Sequence, residues 1–310
     1  MTGIVTLSIE LELGWGMHDQ AEYDHLSSDR SAETKALHRL LDIADRHDIP
    51  ITFNVVGHLF HDSCPGSHRG PHPESWWTED PGTSSDSDPL FYAPDLIEEI
   101  RNRETVHEIA THTYSHLLAE LATSKELDHE LATVAELHDD VSLPAPTSIV
   151  MPRHREPDYS VIGGREIDTI RRPIEGYCKP DMNPFLKFWW LIMREHPKST
   201  LEWRNGILET TVTPFPSLTA VSLPVGQSRP HPVFSAIPEF VRIRRHRKFL
   251  FDAIDKAKEE DSHVHLWTHL YNFANDIQWH AMKPGLNRIG VLHCNDSINV
   301  VSMRNLSEIQ

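Results

Sequence analysis

Histidine is the commonest metal ligand and the side chain best suited to moving protons near neutral pH; this chain carries 22 in 310 residues. Pairs four residues apart face one side of a helix, a spacing that can hold a cation. Random placement alone gives roughly 1.6 such pairs, and the sequence has three: His68/His72, His112/His116 and His265/His269. Spacing therefore selects nothing here, and neighbourhood must. His68/His72 falls in a proline-rich stretch where helical spacing has no meaning. His112/His116 closes the run His107-Glu-Ile-Ala-Thr-His112-Thr-Tyr-Ser-His116, between a strand-like stretch and an expected Ala/Leu-rich helix. Ends of parallel strands that open into loops are where α/β folds gather their sites. Two imidazoles there, joined by a carboxylate from another strand end, would make a metal site with open positions. The plain alternative is two surface histidines at a helix start.

The matching carboxylates stand in Ser8-Ile9-Glu10-Leu11-Glu12-Leu13-Gly14-Trp15-Gly16. Strand alternation sends Glu10 and Glu12 to the same side. Two buried like charges are costly unless a cation or a shared proton neutralises them, so the pair asks for a partner; a solvated strand end is the bland reading. Arg153, in Met151-Pro152-Arg153, offers a fixed cation that would hold a carboxylate ionised. His269, in Leu266-Trp267-Thr268-His269, offers a proton donor and acceptor. Both follow buried runs.

The elements that must position these residues read as alternating strands and helices. Ile4 to Ile9 is β-branched and apolar on both parities, as in a strand covered on both faces. Ser31 to His47 has helical spacing, with Ser31 as its cap, and ends before Pro50. Ile51 to Val56 is the next strand, completing a βαβ unit and implying a parallel sheet. Further helices are expected at Pro94 to Arg103, Ser124 to Asp139 and Arg242 to Glu260. Further strands are expected at Ser148 to Met151, His263 to Trp267 and Ile298 to Met303. Between Asp62 and Pro94 lies a Pro-, Gly-, Ser- and His-rich insertion with Trp76, Trp77, Phe91 and Tyr92. Adjacent tryptophans are rare in linkers, so this reads as an ordered loop beside a site. Residues 157 to 240, with Trp189-Trp190, resist assignment. The whole reads as one α/β domain spanning 1–310.

Composition narrows the partners. With 29 Lys+Arg against 46 Asp+Glu the net charge is −17, which would repel phosphate backbones, so no nucleic-acid partner is expected. The excess of acid fits simple solubility or a salt-rich cytoplasm, the latter suggested by 20 Arg against 9 Lys. Cys64, Cys178 and Cys294 form no CxxC pair, so neither a disulfide framework nor a four-cysteine zinc site is expected. Met1 to Glu10 lacks the features of a signal peptide, and Phe185 to Met193 is too short to cross a bilayer. A cytoplasmic protein without a membrane span is the expectation.

In order and content these segments resemble the polysaccharide deacetylase superfamily, the NodB-homology carbohydrate esterases. The resemblance rests on the first motif around Glu10 and Glu12, Thr52-Phe53-Asn54-Val55-Val56-Gly57, the histidine block, Met151-Pro152-Arg153 and Leu266-Trp267-Thr268-His269. It implies a distorted, incomplete (β/α) barrel and a metal-dependent N-deacetylase acting on an N-acetylated carbohydrate. By position, Glu12, His112 and His116 would hold the metal, zinc first, with manganese, cobalt or iron as alternatives. Glu10 would be the base, Arg153 its orienting cation, His269 the general acid, and Trp267 part of the acetyl pocket. Trp76 and Trp77 are candidates for stacking on sugar. The family's base is aspartate where this chain has Glu10, and its metal carboxylate is aspartate where this chain has Glu12. The fourth motif has only Asp181 as a candidate. Two other functions follow from the same residues: a catalytically weakened carbohydrate-binding protein, and a hydrolase of another non-peptide C–N bond.

Overall fold

A computed structural model describes residues 2–173, 183, 198–212 and 218–309. Asp181, Cys178, Trp189, Trp190 and the apolar run from Phe185 to Met193 lie outside them.

The described strands are β1 (Gly3–Leu11), β2 (Thr52–Val55), β3 (Glu108–Thr111), β4 (Ser148–Val150), β5 (Thr169–Pro173), β6 (Leu201–Arg204), β7 (Ile207–Val212), β8 (His263–His269) and β9 (Ile298–Val300). They form a sheet in the order β6-β7-β5-β4-β3-β2-β1-β8, with β9 added beside β1. Every pairing is parallel except β6 with β7. The helices are α1 (Ser31–His47), α2 (Pro94–Arg101), α3 (Ser124–Asp140), α4 (Tyr159–Gly164), α5 (Pro232–Ser235), α6 (Glu239–Glu259) and α7 (Asp276–Cys294). The expected parallel α/β architecture is present. Among the described residues β7 and β8 share no ladder, so the barrel stays open. Ser199 spans part of that gap: its N–H donates to the His263 carbonyl at 3.0 Å, and its Oγ accepts the His265 N–H at 2.8 Å.

β1 decides what the two faces of the sheet become. Val5, Leu7, Ile9 and Leu11 point into the main apolar core, against Leu37, Leu40 and Leu41 of α1, Leu250 and Ile254 of α6, and Leu286 and Ile289 of α7. The other parity is equally buried but polar: Thr6, Ser8 and Glu10 are 0%, 0% and 3% exposed. Thr6 Oγ1 meets His263 Nε2 at 3.1 Å, and Ser8 Oγ meets His265 Nε2 at 2.8 Å. The barrel interior is thus a hydrogen-bonded column, as buried polar groups require, and it leads up to the acidic end of β1.

Two expectations are corrected locally. Ser31 does not cap α1: Arg30 takes the cap position in a left-handed conformation, and Asp29 Oδ1 accepts the Ser31 N–H at 3.1 Å. His112 to His116 is not a helix start. β3 ends at Thr111, and Thr113 and His116 have φ of 62° and 60°. A tight loop, not a helix face, brings the two imidazoles together. Thr113 is secured on both sides, its N–H donating to Thr111 Oγ1 at 3.0 Å and its own Oγ1 accepting the Leu117 N–H at 2.9 Å. The regular helix that follows starts at Ser124, where Thr123 and Glu126 form a capping box.

Candidate active site

The C-terminal ends of β1, β3 and β8 deliver the candidate residues to one place. Glu12 follows β1; its Oε2 lies 3.5 Å from His112 Nε2 and 3.2 Å from His116 Nε2. The imidazole centroids are 5.0 Å apart. All three side chains are nearly sealed from solvent, at 6%, 2% and 3% exposure. His112 Nδ1–H donates to the Val150 carbonyl at 2.6 Å, so in the neutral ring Nε2 is an unprotonated lone pair. That lone pair faces a carboxylate oxygen, a repulsive contact unless a cation or an extra proton lies between them. Burial works to raise the Glu12 carboxyl, but the neighbouring His269, His112 and His116 rings outweigh it and keep it well below the usual range. Burial lowers His116. A carboxylate and two imidazole nitrogens form the donor set of a borderline divalent cation such as Zn²⁺. The residues present therefore fit the metal that the resemblance implies.

Glycine makes room for this geometry. A Cβ on Gly16 would stand 2.4 Å from the Glu12 carboxyl carbon and from Oε1, so Glu12 folds back over its own turn only because residue 16 has no side chain. Trp15 anchors that turn, its Nε1–H donating to the Phe91 carbonyl at 3.0 Å.

A second trio abuts the first. Glu10 and His269 are register partners across β1 and β8. His269 Nε2 is 2.6 Å from Glu10 Oε2 and 3.4 Å from Glu12 Oε1. The side of Glu10 away from His269 is held by Arg171, whose guanidinium donates to Glu10 Oε1 and, at 2.9 Å, to Ser8 Oγ. Arg171 is fully buried on β5 and lies 4.6 Å over the Trp267 ring. Burial opposes its charge, and the Glu10 carboxylate supplies the counter-charge. His269 retains 21% exposure of its side chain. Burial lowers its pKa, with the Glu12 charge raising it and Arg171 lowering it further. Asn54, the register partner of Glu10 on β2, is fully buried, and its amide oxygen and nitrogen lack hydrogen-bond partners among the described residues.

Arg153 is placed elsewhere. It pairs with Asp19 at 2.6 Å, so the cation against Glu10 is Arg171. Sequence reading missed Arg171 because its role depends on β5 facing β1 across the barrel interior. The available signal was a charged residue directly after Ile170 in a run otherwise fit for a buried strand. Trp267 is 4% exposed, between Arg171 and the edge of His154, whose ring centroid is 4.9 Å away. Trp76 is 7% exposed and donates Nε1–H to Ser115 Oγ at 2.7 Å. Trp77 stacks on His68 at 3.5 Å between centroids. The indoles brace the loop that carries His116, a wall position rather than the stacking platform expected of them.

This open barrel carries a histidine–carboxylate cluster at its strand ends, a donor set that could hold a divalent cation. Comparison with known proteins narrows the class. Residues 23–163, a little under half of the chain, match the family model described as Polysaccharide deacetylase. The fold is similar to that of a Mycobacterium smegmatis protein assigned to the polysaccharide deacetylases: TM-score 0.61 and 14% identity, over 99% of this chain and 90% of that one. It is similar to a Pseudomonas aeruginosa PAO1 protein of the same assignment, with TM-score 0.52 and 10% identity over 92% and 84% of the two chains. PuuE allantoinase has a related fold too, with TM-score 0.55 and 11% identity over 93% and 84%. No curated protein matches the chain significantly. The likeness to polysaccharide deacetylases thus extends in sequence over residues 23–163 and in fold over most of the chain. Among the described residues no helix is long and apolar enough to cross a membrane.

Proposed function

We propose that the chain is a metal-dependent hydrolase that removes N-acetyl groups from an amino-sugar-containing polysaccharide or glycan precursor, with residues 1–310 acting as one catalytic domain. The observation that carries this reading is the convergence of Glu12, His112 and His116, their ligand atoms within 4.8 Å of one another, beside the Glu10–His269 pair. The family match over residues 23–163 supports the substrate class.

A divalent cation held by Glu12, His112 and His116, zinc by preference, would polarise the amide carbonyl and acidify a bound water. The protein's own groups then handle the proton. Glu10 takes it from the attacking water, and Arg171 keeps that carboxylate ionised beforehand. The proton crosses the 2.6 Å contact to His269 Nε2, and His269 delivers it to the departing amine nitrogen. Burial lowers His269, so its proton is supplied by Glu10 rather than carried permanently. Acetate and a free amino sugar leave, and both residues return to their starting protonation. Trp267 forms the apolar side of the pocket that receives the acetyl methyl, and the unpartnered Asn54 amide serves the substrate or the water.

Incubation with acetylated chitooligosaccharide and zinc, manganese or cobalt should release acetate, and chelator or His112→Ala should abolish that release. Failure to release acetate from any acetylated sugar with any of these metals would overturn the reading. A second reading, hydrolysis of another non-peptide C–N bond on the same centre, is favoured by the fold shared with PuuE allantoinase. Turnover of a cyclic amide, with none of an acetylated sugar, would select it.

A further inference from the structure

The insertion from Asp62 to Pro94 holds a second group of metal-ligand side chains, separate from the catalytic candidates. His58 Nε2, Cys64 Sγ, His68 Nε2 and an Asp80 carboxylate oxygen all lie within 4.8 Å of one another. Cys64 Sγ is 3.6 Å from His68 Nε2 and 3.6 Å from Asp80 Oδ2, and His58 Nε2 is 3.8 Å from Asp80 Oδ2. Tetrahedral zinc with one thiolate and two imidazoles has sulfur–nitrogen edges of about 3.5 Å and nitrogen–nitrogen edges of about 3.3 Å. The two sulfur separations match that tetrahedron, while His58–Asp80 is wider and His68–Asp80, a 2.6 Å hydrogen bond, is closer.

The supporting contacts aim each donor inward. His58 is fully buried, its Nδ1–H points to the Phe91 carbonyl at 3.4 Å, and its Nε2 has no hydrogen-bond partner among the described residues. An orphaned lone pair at such depth is unfavourable by itself. Asp80 Oδ1 accepts the Gly82 N–H at 3.1 Å and the Tyr92 hydroxyl at 2.9 Å, which leaves Oδ2 to the cluster. Both side chains of the His58–Asp80 pair are wholly shielded from water. Burial works to raise Asp80, but the hydrogen bonds from His68, Gly82 and Tyr92 outweigh it and keep the carboxylate ionised. Burial also pushes His58 down to about 3, so it brings no compensating charge.

We propose that His58, Cys64, His68 and Asp80 form a second, closed divalent-metal site of the zinc class that fastens the 62–94 insertion to the barrel. Four protein donors fill a tetrahedron and leave no position for substrate, the mark of a structural ion. On binding, the Cys64 thiol proton is released to solvent, and the His68–Asp80 hydrogen bond gives way to two metal bonds. The proton shared by His68 Nε2 and Asp80 leaves that nitrogen, and the neutral ring carries its proton on Nδ1. The ion would fix the His68 ring on which Trp77 stacks, and through Trp76 and Ser115 it would steady the loop bearing His116. Pairwise helical spacing of His68 and His72 plays no part: His72 Nε2 instead meets the His68 carbonyl, at 3.4 Å.

Cobalt substitution of the full-length protein tests this. Bound cobalt should show a thiolate-to-metal charge-transfer band and the intense visible bands of a tetrahedral centre. The band should persist in the His112→Ala/His116→Ala double variant and vanish in Cys64→Ser. In the unmodified chain, added zinc should slow alkylation of Cys64 by about tenfold or more, because metal-bound thiolate is shielded, while leaving the exposed Cys294 unchanged. Cobalt binding without the band, a band that survives Cys64→Ser, or equal alkylation of Cys64 with and without zinc would each overturn the proposal.

Discussion

Two clusters rich in histidine occupy this molecule, and they are built on opposite plans. The cluster of Glu12, His112 and His116 is drawn from the ends of β1 and β3, with three donors and the Glu10–His269 pair alongside. That of His58, Cys64, His68 and Asp80 comes from the turn after β2 and from the insertion, with four donors including a thiol. Three ligands leave coordination positions for water and substrate; four close the shell. The difference teaches that counting histidines says less than asking which donors are missing and what stands beside the gap. Next to the first cluster stand a carboxylate and an imidazole able to move protons. Next to the second stand the rings of Trp77, Tyr92 and Tyr114, tilted against His58, which only hold position.

Substitutions should separate the two plans, beginning with the largest effect. His112→Ala removes a ligand of the open cluster, and acetate release should fall to the uncatalysed background, measured with zinc in excess. Glu10→Gln leaves the metal donors intact and removes the base. It should lower kcat by about 10²–10⁴-fold, the range for a general base, with metal affinity unchanged. Glu10→Asp should also be slower, by about a hundredfold, because the shorter chain cannot reach Arg171 and His269 together; a gain in rate would show that Glu10 is a weakened base.

Arginines provide a finer contrast. Arg171→Lys should reduce kcat by about a hundredfold and shift the acid limb of the pH–rate profile upward, since a point charge replaces a fork held by Glu10 and Ser8. Arg153→Lys, altering a partly exposed pair with Asp19, should change the rate about twofold or less. Equal effects at the two positions would erase the distinction. Gly16→Ala pushes a methyl against the Glu12 carboxyl and should weaken zinc binding at the open cluster by about 10–100-fold, as changes that disturb ligand orientation do, while leaving Cys64 protection by zinc untouched.

Protonation gives the smallest and most diffuse test. Burial pushes His107 and His246 down to about 4 and His263 down to about 3, from an ordinary value of 6.5. Each is neutral when folded but takes up a proton when unfolded below pH 6.5. Their contribution is present above that value and is lost as pH falls from about 6.5 toward 4 and then 3. Denaturant midpoints should drop across this window by on the order of 1 kcal/mol per pH unit for each group. A flat profile from pH 7 to 4 would contradict the buried, uncharged state of these rings.

Much of the scaffold was legible because its signals are local. The apolar stripe on α1 and the β-branched run of β1 specify their elements without reference to anything distant, and both ends of α1 fall where the sequence places them. Glu10, Glu12, His112, His116 and His269 were legible as candidates because each lies at or just past the end of a strand, and parallel strands end on one side of the fold. Arg171 was not, since its partnership with Glu10 exists only across the barrel interior, between strands β1 and β5 that are not neighbours in the sheet. Nor was the His58 group: Cys64, His68 and Asp80 meet His58 through an insertion whose path no periodicity reveals. His112 and His116 were chosen by their place after a strand and not by spacing, and the loop that joins them, left-handed at Thr113 and His116, leaves no trace in a spacing rule.

The central claim is that Glu12, His112 and His116 grip one divalent cation. Calorimetric titration of zinc into metal-free Cys64→Ser protein isolates that cluster, and tight binding of a single equivalent is expected, lost when Glu12→Ala is added. Unchanged binding after removal of Glu12 would show that the cation, if any, is held elsewhere and that the amide-hydrolysis account is wrong.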